Sequence, residues 1–326
     1  MLLTTNRAAR VAIAVLLATL GATVVAQSSA IPGARAAATP IYNSIPAVYP
    51  PSFPSLGYQA QSTREFGDHV VLGGGSRFLE TMTIGLTNWA CGSDYTLTQP
   101  GNVWVPAADP GPCITTPGST FVHPITLTIF AVDNTGLNPA AGAVLTTLTQ
   151  SVTVPFRPSA DVGDCTVPIV DPLGRRWFNV GTGTCHNGYA FNVDFDLTSL
   201  NLELPDEVII SVAYNTQSWG SAPIGAPGPY NSLNVSLASA PATVGSGAEP
   251  DVMFRDFAGS GFLRETGWAA FFGFVMELNA NPTATSTGPE LAAAGADVFG
   301  PIALGVGFVL AGFVVLVSTK LTPRRR

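Results

Sequence analysis

Apolar and polar side chains alternate with a period of two through the middle of the chain. In residues 77–89, Met82, Ile84 and Leu86 share one parity, while Thr81, Thr83 and Thr87 share the other. In residues 124–131, Ile125, Leu127 and Ile129 alternate with Thr126 and Thr128, and Val152, Val154 and Phe156 repeat the habit. The cleanest run is 189–197, where Tyr189, Phe191, Val193, Phe195 and Leu197 oppose Asn192, Asp194 and Asp196. Residues 208–214, 233–237 and 272–278 follow. Successive strand side chains point to opposite faces, so each run predicts a strand with one buried and one solvated face. Turn-forming clusters separate the runs, at 73–75, 133–136, 171–174 and 225–229. Short strands divided by Gly and Pro predict an all-β domain, an antiparallel β-sandwich or jelly-roll-like fold spanning residues 39–278. Two smaller sandwiches split near 155–171 are the alternative. The proline-rich residues 39–57 read as an extended lead-in along a sheet edge, and 239–268 are less regular.

Both ends carry a different pattern. Arg7 and Arg10, an apolar run from Val11 to Val25 and a string of small residues read as a secretory signal peptide over residues 1–38, with cleavage between 26 and 38. Signal peptidase is the implied partner. Residues 298–319 hold no charge, and as a helix these 22 residues would span about 33 Å, enough for a bilayer core of about 30 Å. Lys320, Arg324, Arg325 and Arg326 follow and mark a cytoplasmic tail, 320–326. The small polar residues 279–296 read as a stalk. The expectation is a single-pass type I cell-membrane protein with its β-domain outside.

Removing these ends changes the charge. Residues 39–297 keep seven arginines, no lysine and all 21 acidic residues, a net charge of −14. Such a surface repels phosphates, so no nucleic acid partner is expected. The four cysteines, Cys91, Cys113, Cys165 and Cys185, all lie in the exported part. Spacing favours the pairs Cys91–Cys113 and Cys165–Cys185, each worth about 3 kcal/mol by chain entropy. No C-x-x-C spacing occurs, and His69, His123 and His186 are scattered, so a zinc site is not expected.

The residues ahead of the apolar span, Leu291, Ala292, Ala293, Ala294 and Gly295, then Arg-Arg-Arg at the end, resemble the cell-wall sorting signal of Gram-positive bacteria, of the LPxTG or actinobacterial LAxTG type. That resemblance implies sortase as a partner and covalent attachment to the wall. Leu291, Ala292 and Gly295 match the variant; Ala294 stands where the family has Thr, so a retained membrane span is an equal expectation. Residues 204–217 and 228–235 resemble uncharacterised secreted bacterial β-sandwich proteins, which implies architecture and no mechanism.

Candidate chemistry is sparse. Asp194 and Asp196 share a strand face, and Glu277 on another strand could join them as the two carboxyls of a glycoside hydrolase. Their polar parity with Asn192 equally suits a solvated face. No G-x-S-x-G, P-loop or dinucleotide fingerprint occurs, and no cofactor is expected. Asp161, Asp164 and Asp171 sit in a Gly/Pro-rich stretch where carboxylates could bind Ca²⁺, although loop aspartates more commonly make turns. The best ligand-binding candidate is the long uncharged loop 214–231, with Tyr214, Asn215, Gln217, Trp219, Tyr230 and Asn231. Its aromatic faces could stack on sugar rings; the alternative is a loop whose Trp219 caps the core. The chain thus reads as a surface-displayed binding or adhesion module for a glycan or another envelope component. A structural envelope protein and an anchored glycoside hydrolase are the alternatives.

Overall fold

The computed structural model describes residues 37–100, 103–109, 111–166, 175–225, 227–257 and 261–282. Residues 1–36 of the signal segment, Asp171, most of the stalk, the sorting-like residues Leu291, Ala292, Ala293, Ala294 and Gly295, the 298–319 span and the basic tail lie outside them. Among the described residues no helix is long and apolar enough to cross a membrane.

The described part is all-β. β1 (Thr39–Asn43) and β2 (Ser55–Gly57) come from the proline-rich lead-in. β3 (Thr63–Val71), β4 (Phe78–Asn88), β5 (Tyr95–Thr98) and β6 (Val103–Pro106) follow. β7 (Thr120–Asp133) and β8 (Ala140–Pro155) form a long hairpin. β9 (Trp177–Asn179) and β10 (Thr184–His186) make a short one, ahead of β11 (Tyr189–Asp196), β12 (Glu207–Ala213) and β13 (Leu233–Ser236). β14 (Ser246–Gly247), β15 (Val252–Phe257), β16 (Phe262–Thr266) and β17 (Met276–Asn281) complete the set.

Two antiparallel sheets pack face to face. In the six-stranded sheet, β4 is the spine: β11 pairs along one edge, while β17 and β13 share the other, continued by β1 and β2. The seven-stranded sheet runs β16-β15-β3-β12-β7-β8, with β14 also on β3. Strands from before and after residue 160 interleave in both sheets, so the chain forms one sandwich and not two. The chain changes sheet repeatedly, from β3 to β4, β4 to β7, β8 to β11, β11 to β12 and β12 to β13. Alternation places the core: Met82, Ile84 and Leu86 of β4, Val193 and Phe195 of β11, and Met276 and Leu278 of β17 meet Phe66, Val70, Val208, Ile210, Val212, Ile125 and Leu127.

β12 departs from the expected pattern of one wet face. Its residues Val208–Ala213 are all buried. The β15–β16 hairpin folds over its outer side, and Phe262 stacks on Phe130 at 5.4 Å beside Ile209 and Phe254. Gly67 permits that closure, since a Cβ there would stand 2.2 Å from Phe262 Cζ. Both disulfides form as spacing suggests, Cys91–Cys113 and Cys165–Cys185, with Cα–Cα distances of 5.4 and 5.7 Å.

One carboxylate sits between the sheets. Asp68 of β3 lies on the inward parity with Phe66 and Val70 and is 3% exposed. The Phe274 N–H donates to its Oδ2 at 3.0 Å. Burial nevertheless pushes its carboxyl up to about 7. On β7 of the same sheet, burial pulls the His123 imidazole down to about 4. The two act in opposite directions on stability. From about pH 4 to 7 folded Asp68 holds a proton that the unfolded chain releases, so its contribution falls as pH rises. Folded His123 stays neutral while the unfolded chain protonates below about 6.5, so its contribution falls as pH drops. Asp68→Asn should therefore leave the histidine's acid sensitivity exposed. Relative to the variant, the parent should gain up to about 4 kcal/mol between pH 7 and pH 4, read from urea midpoints across that range. Parallel pH profiles for the two proteins would show that Asp68 ionises normally.

Candidate functional site

The long loop between β12 and β13 closes on itself. Thr216 N donates to Trp219 O at 2.8 Å, and Trp219 N returns to Thr216 Oγ1 at 3.0 Å. Gln217 N donates to Asn231 Oδ1 and Asn215 Nδ2 to Pro223 O, each at 2.8 Å. Tyr214 is fully buried, its hydroxyl donating to Leu233 O. Trp219 and Tyr230 are half-buried against the main core. Tyr230 stacks on His123 with centroids 4.3 Å apart and planes 12° from parallel. His123 Nε2 lies 2.8 Å from Asn215 O, and a carbonyl only accepts, so Nε2 carries the proton. The six expected ligand-binding residues are therefore committed largely to one another, to the core and to a histidine 92 positions earlier.

The expected carboxylates come together in part. Thr83 of β4 stands opposite Asp194 of β11 on one side and Glu277 of β17 on the other. Thr81 likewise separates Asp196 from Asn279. Asp194 and Asp196 are exposed, while Val193 and Phe195 point inward. Thr83 donates to Asp194 Oδ1 at 2.7 Å; Glu277 accepts from Asn43 and, at 2.8 Å, from Asn279. Asp196 accepts from Thr198, which holds its carboxyl below the usual range. With strands about 4.8 Å apart, Asp194 and Glu277 flank Thr83 on the outer sheet face, and neither lines the clefts described below. Asp161 Oδ1 accepts from Gly163 N and Asp164 N, both at 2.9 Å, which makes a turn. Among the described residues no group of three His, Cys, Asp or Glu side chains could hold a metal ion.

A cleft of about 230 Å³ opens elsewhere, on the outer face of the six-stranded sheet. Three segments converge on it: the lead-in with Val48, Tyr49, Pro50 and Phe53, the β9–β10 hairpin, and the start of β11 against β4. Trp177 is 8% exposed and forms the floor with His186, their rings stacked at 4.7 Å. Tyr189 meets Trp177 edge-on at 5.6 Å, and Tyr49 meets Phe53 at 4.9 Å. Trp177 Nε1 donates to Gly188 O at 3.1 Å, which fixes the indole plane. The Cys165–Cys185 bridge anchors β10. Asn187 N donates to Pro51 O at 3.2 Å and ties the lead-in to the hairpin. Burial, and then the nearby Arg176, pull the His186 imidazole down, so it is neutral at neutral pH. Thr87 and Asn179 add polar groups, and no charged side chain lines the cleft. Two shallower clefts of about 470 and 450 Å³ share Ser119, Thr120 and Phe156, and bring fewer rings together.

Sequence reasoning missed this cleft, because its rings lie in segments up to 140 residues apart. The density of Trp177, His186 and Tyr189 around Cys185 was the available signal. The chain matches no protein-family model, no curated protein and no solved structure.

The closed loop makes its own test. Gly220 has φ +93°, and a Cβ there would stand 1.9 Å from Tyr214 O. Gly220→Ala should destabilise the domain by at least about 2 kcal/mol in urea unfolding. A change within about 0.5 kcal/mol would mean that the loop is not held in this form.

Proposed function

We propose that the chain is a surface-displayed binding module whose aromatic cleft takes a neutral sugar ring of an envelope or host glycan. The observation that carries this is the convergence of Tyr49, Phe53, Trp177, His186 and Tyr189 on one small cleft. A domain with 19 acidic residues against seven arginines over 39–278 presents a recess without a charged side chain, floored by Trp177 and His186 and walled by Tyr49 and Tyr189; the neighbouring clefts are uncharged too, but gather fewer rings. Ring faces pack against the apolar faces of a pyranose, while Asn179, Thr87 and the Tyr189 hydroxyl suit its hydroxyl groups, the Tyr49 hydroxyl already donating to Asn192 Oδ1. At about 230 Å³ the cleft lies below the roughly 300–1,000 Å³ of drug-sized sites, which suits a single ring. Export and display rest on the signal-like start, the apolar span with its arginines and the sorting-like residues. Two formed disulfides support an oxidising compartment.

The carboxylates do not favour the hydrolase reading, because Asp194, Asp196 and Glu277 line none of the clefts described above. The binding reading is tested with immobilised neutral oligosaccharides of glucose, galactose, mannose and N-acetylglucosamine. At least one should bind. Tyr49→Ala and Tyr189→Ala should each weaken it about fivefold, about 1 kcal/mol per ring, with both variants still folded by circular dichroism. Trp219→Ala should leave affinity unchanged. Absence of binding to every neutral glycan, or binding untouched by both tyrosine variants, would defeat the assignment.

A further inference from the structure

Sandwich proteins must deal with the unpaired N–H and C=O groups along their outermost strands. Four of the outer strands here are guarded. β1 is five residues long, contains Pro40, and its Ile41 O already accepts from Gly73 N at 2.7 Å. β2 has three residues. β16 carries Arg264 and Glu265. β11 carries Asp194 and Asp196, and its Asp194 O accepts from Gln150 Nε2 at 3.0 Å. β8 differs. It is 16 residues long, pairs with β7 alone, and sits at the end of its sheet. From residue 134 to residue 156 the chain has no charged side chain. Two register shifts bend the start of the hairpin, near Phe130, and leave Thr146–Pro155 in unbroken one-to-one pairing with β7.

The side chains of this straight half are self-complementary. Thr147, Thr149, Ser151 and Thr153 all share one parity and are all exposed. Thr146, Leu148, Gln150, Val152 and Val154 share the other and are half-buried or buried. Reversing the segment about Gln150 sets Thr147 opposite Thr153, Thr149 opposite Ser151, Leu148 opposite Val152 and Thr146 opposite Val154. Hydroxyl meets hydroxyl on one face, and small apolar or β-branched groups meet on the other. The hydroxyl pairing already operates within the hairpin, where Thr126 and Thr149 bond at 2.8 Å and Thr128 and Thr147 at 3.3 Å. Threonine pairs and β-branched pairs are favourable cross-strand neighbours.

We propose that β8 is a self-association edge, on which a second copy of this chain adds its own β8 antiparallel about a two-fold axis at Gln150. The contact would join two seven-stranded sheets edge to edge. Charge selects the occupant. Two copies of a domain with 19 acidic residues against seven arginines repel each other over much of their surface, and this strip itself carries no charge, the carboxylate beside it being that of Asp194, whose backbone O accepts from Gln150. The two-fold arrangement also closes on itself, so it yields a dimer and not a filament. The proposal is independent of the aromatic cleft and uses none of its residues.

The test is sedimentation equilibrium of the full-length exported chain. The parent should show a concentration-dependent monomer–dimer equilibrium. Thr149→Lys with Ser151→Lys places cations opposite cations across the axis and should raise the dimer Kd at least tenfold. Thr149→Lys with Ser151→Glu places opposite charges across the axis twice and should restore dimerisation. Both changes are on exposed positions, and circular dichroism with thermal unfolding should show all three proteins equally folded. A parent that stays monomeric at every concentration overturns the proposal. So does a dimer that the double lysine variant leaves intact. Failure of the Lys/Glu variant to recover the dimer overturns the Gln150-centred register.

Discussion

The structure depends on excluding water between two inward faces, one built around β4 and the other around β12. Each of these strands is paired on both edges, so their backbone groups are satisfied laterally and only their side chains remain to be placed. Fully burying a Leu, Ile or Phe side chain is worth about 1.5–3 kcal/mol, and the main cluster contains many of them. The same exclusion sets the chemistry of the interior. Asp68 keeps its proton to about pH 7 and His123 loses its proton above about pH 4, because neither can be solvated as an ion. His123 in turn holds the 214–231 loop through Asn215 O and Tyr230. What looks from the sequence like a ligand-ready loop is thus drawn into the fold by the dry core beneath it.

How much could be read from residues alone follows from which contacts are local. β4 and β11 were legible because each has one face on the core and one in water, so period two is written into their own side chains. Their mutual register is not local, yet it explains why Asp194 and Asp196 stay solvated beside Thr83 and Thr81. β12 was misread on one point. Ile209 breaks the alternation, and its cover, Phe262 on β16, comes 53 residues later. β15 and β16 were not recognised, since Arg255, Asp256, Arg264 and Glu265 obscure the period in strands lying at a sheet's margin. The first half of β8, with Ala140, Ala141, Gly142 and Ala143, offered no contrast between faces at all. Both cysteine pairs were legible because short loops close most readily, and each joins residues about 20 apart.

The candidate site shows the opposite limit. Trp177 and Tyr189 are near each other in sequence, and a reader could notice them. Tyr49 and Phe53 arrive from the lead-in, whose prolines by themselves point only to an extended edge. It reaches the cleft because β1 and β2 fix its two ends on different strands, β17 and β13, and leave the intervening proline-rich turn to cross the sheet face. The disulfide to Cys165 holds the other wall. A cleft assembled this way depends on strand order more than on any motif. Trp219, the most conspicuous aromatic in the sequence-derived loop, has its backbone tied to Thr216 and its ring packed into the fold.

Charge placement links the cleft to the rest of the surface. The strips that carry Asp194, Asp196 and Glu277 run along the same sheet face as the cleft, starting only a few residues down β11 from Tyr189. Asp194 lies five residues from Tyr189, about 16 Å along the strand and beyond the roughly 8 Å over which fields persist at physiological ionic strength, so only an anion travelling along that face would meet like charge. A neutral polyol meets no such barrier, and its hydroxyls can replace water on Thr, Asn and Asp side chains with little loss. Under the proposed reading, the acidic strips would disfavour anionic ligands on that approach. The proposed edge pairing through β8 would use backbone groups in the plane of the other sheet, so it would not compete for these side chains. Two clefts carried by one dimer would raise avidity for a repeating glycan without any new contact to sugar.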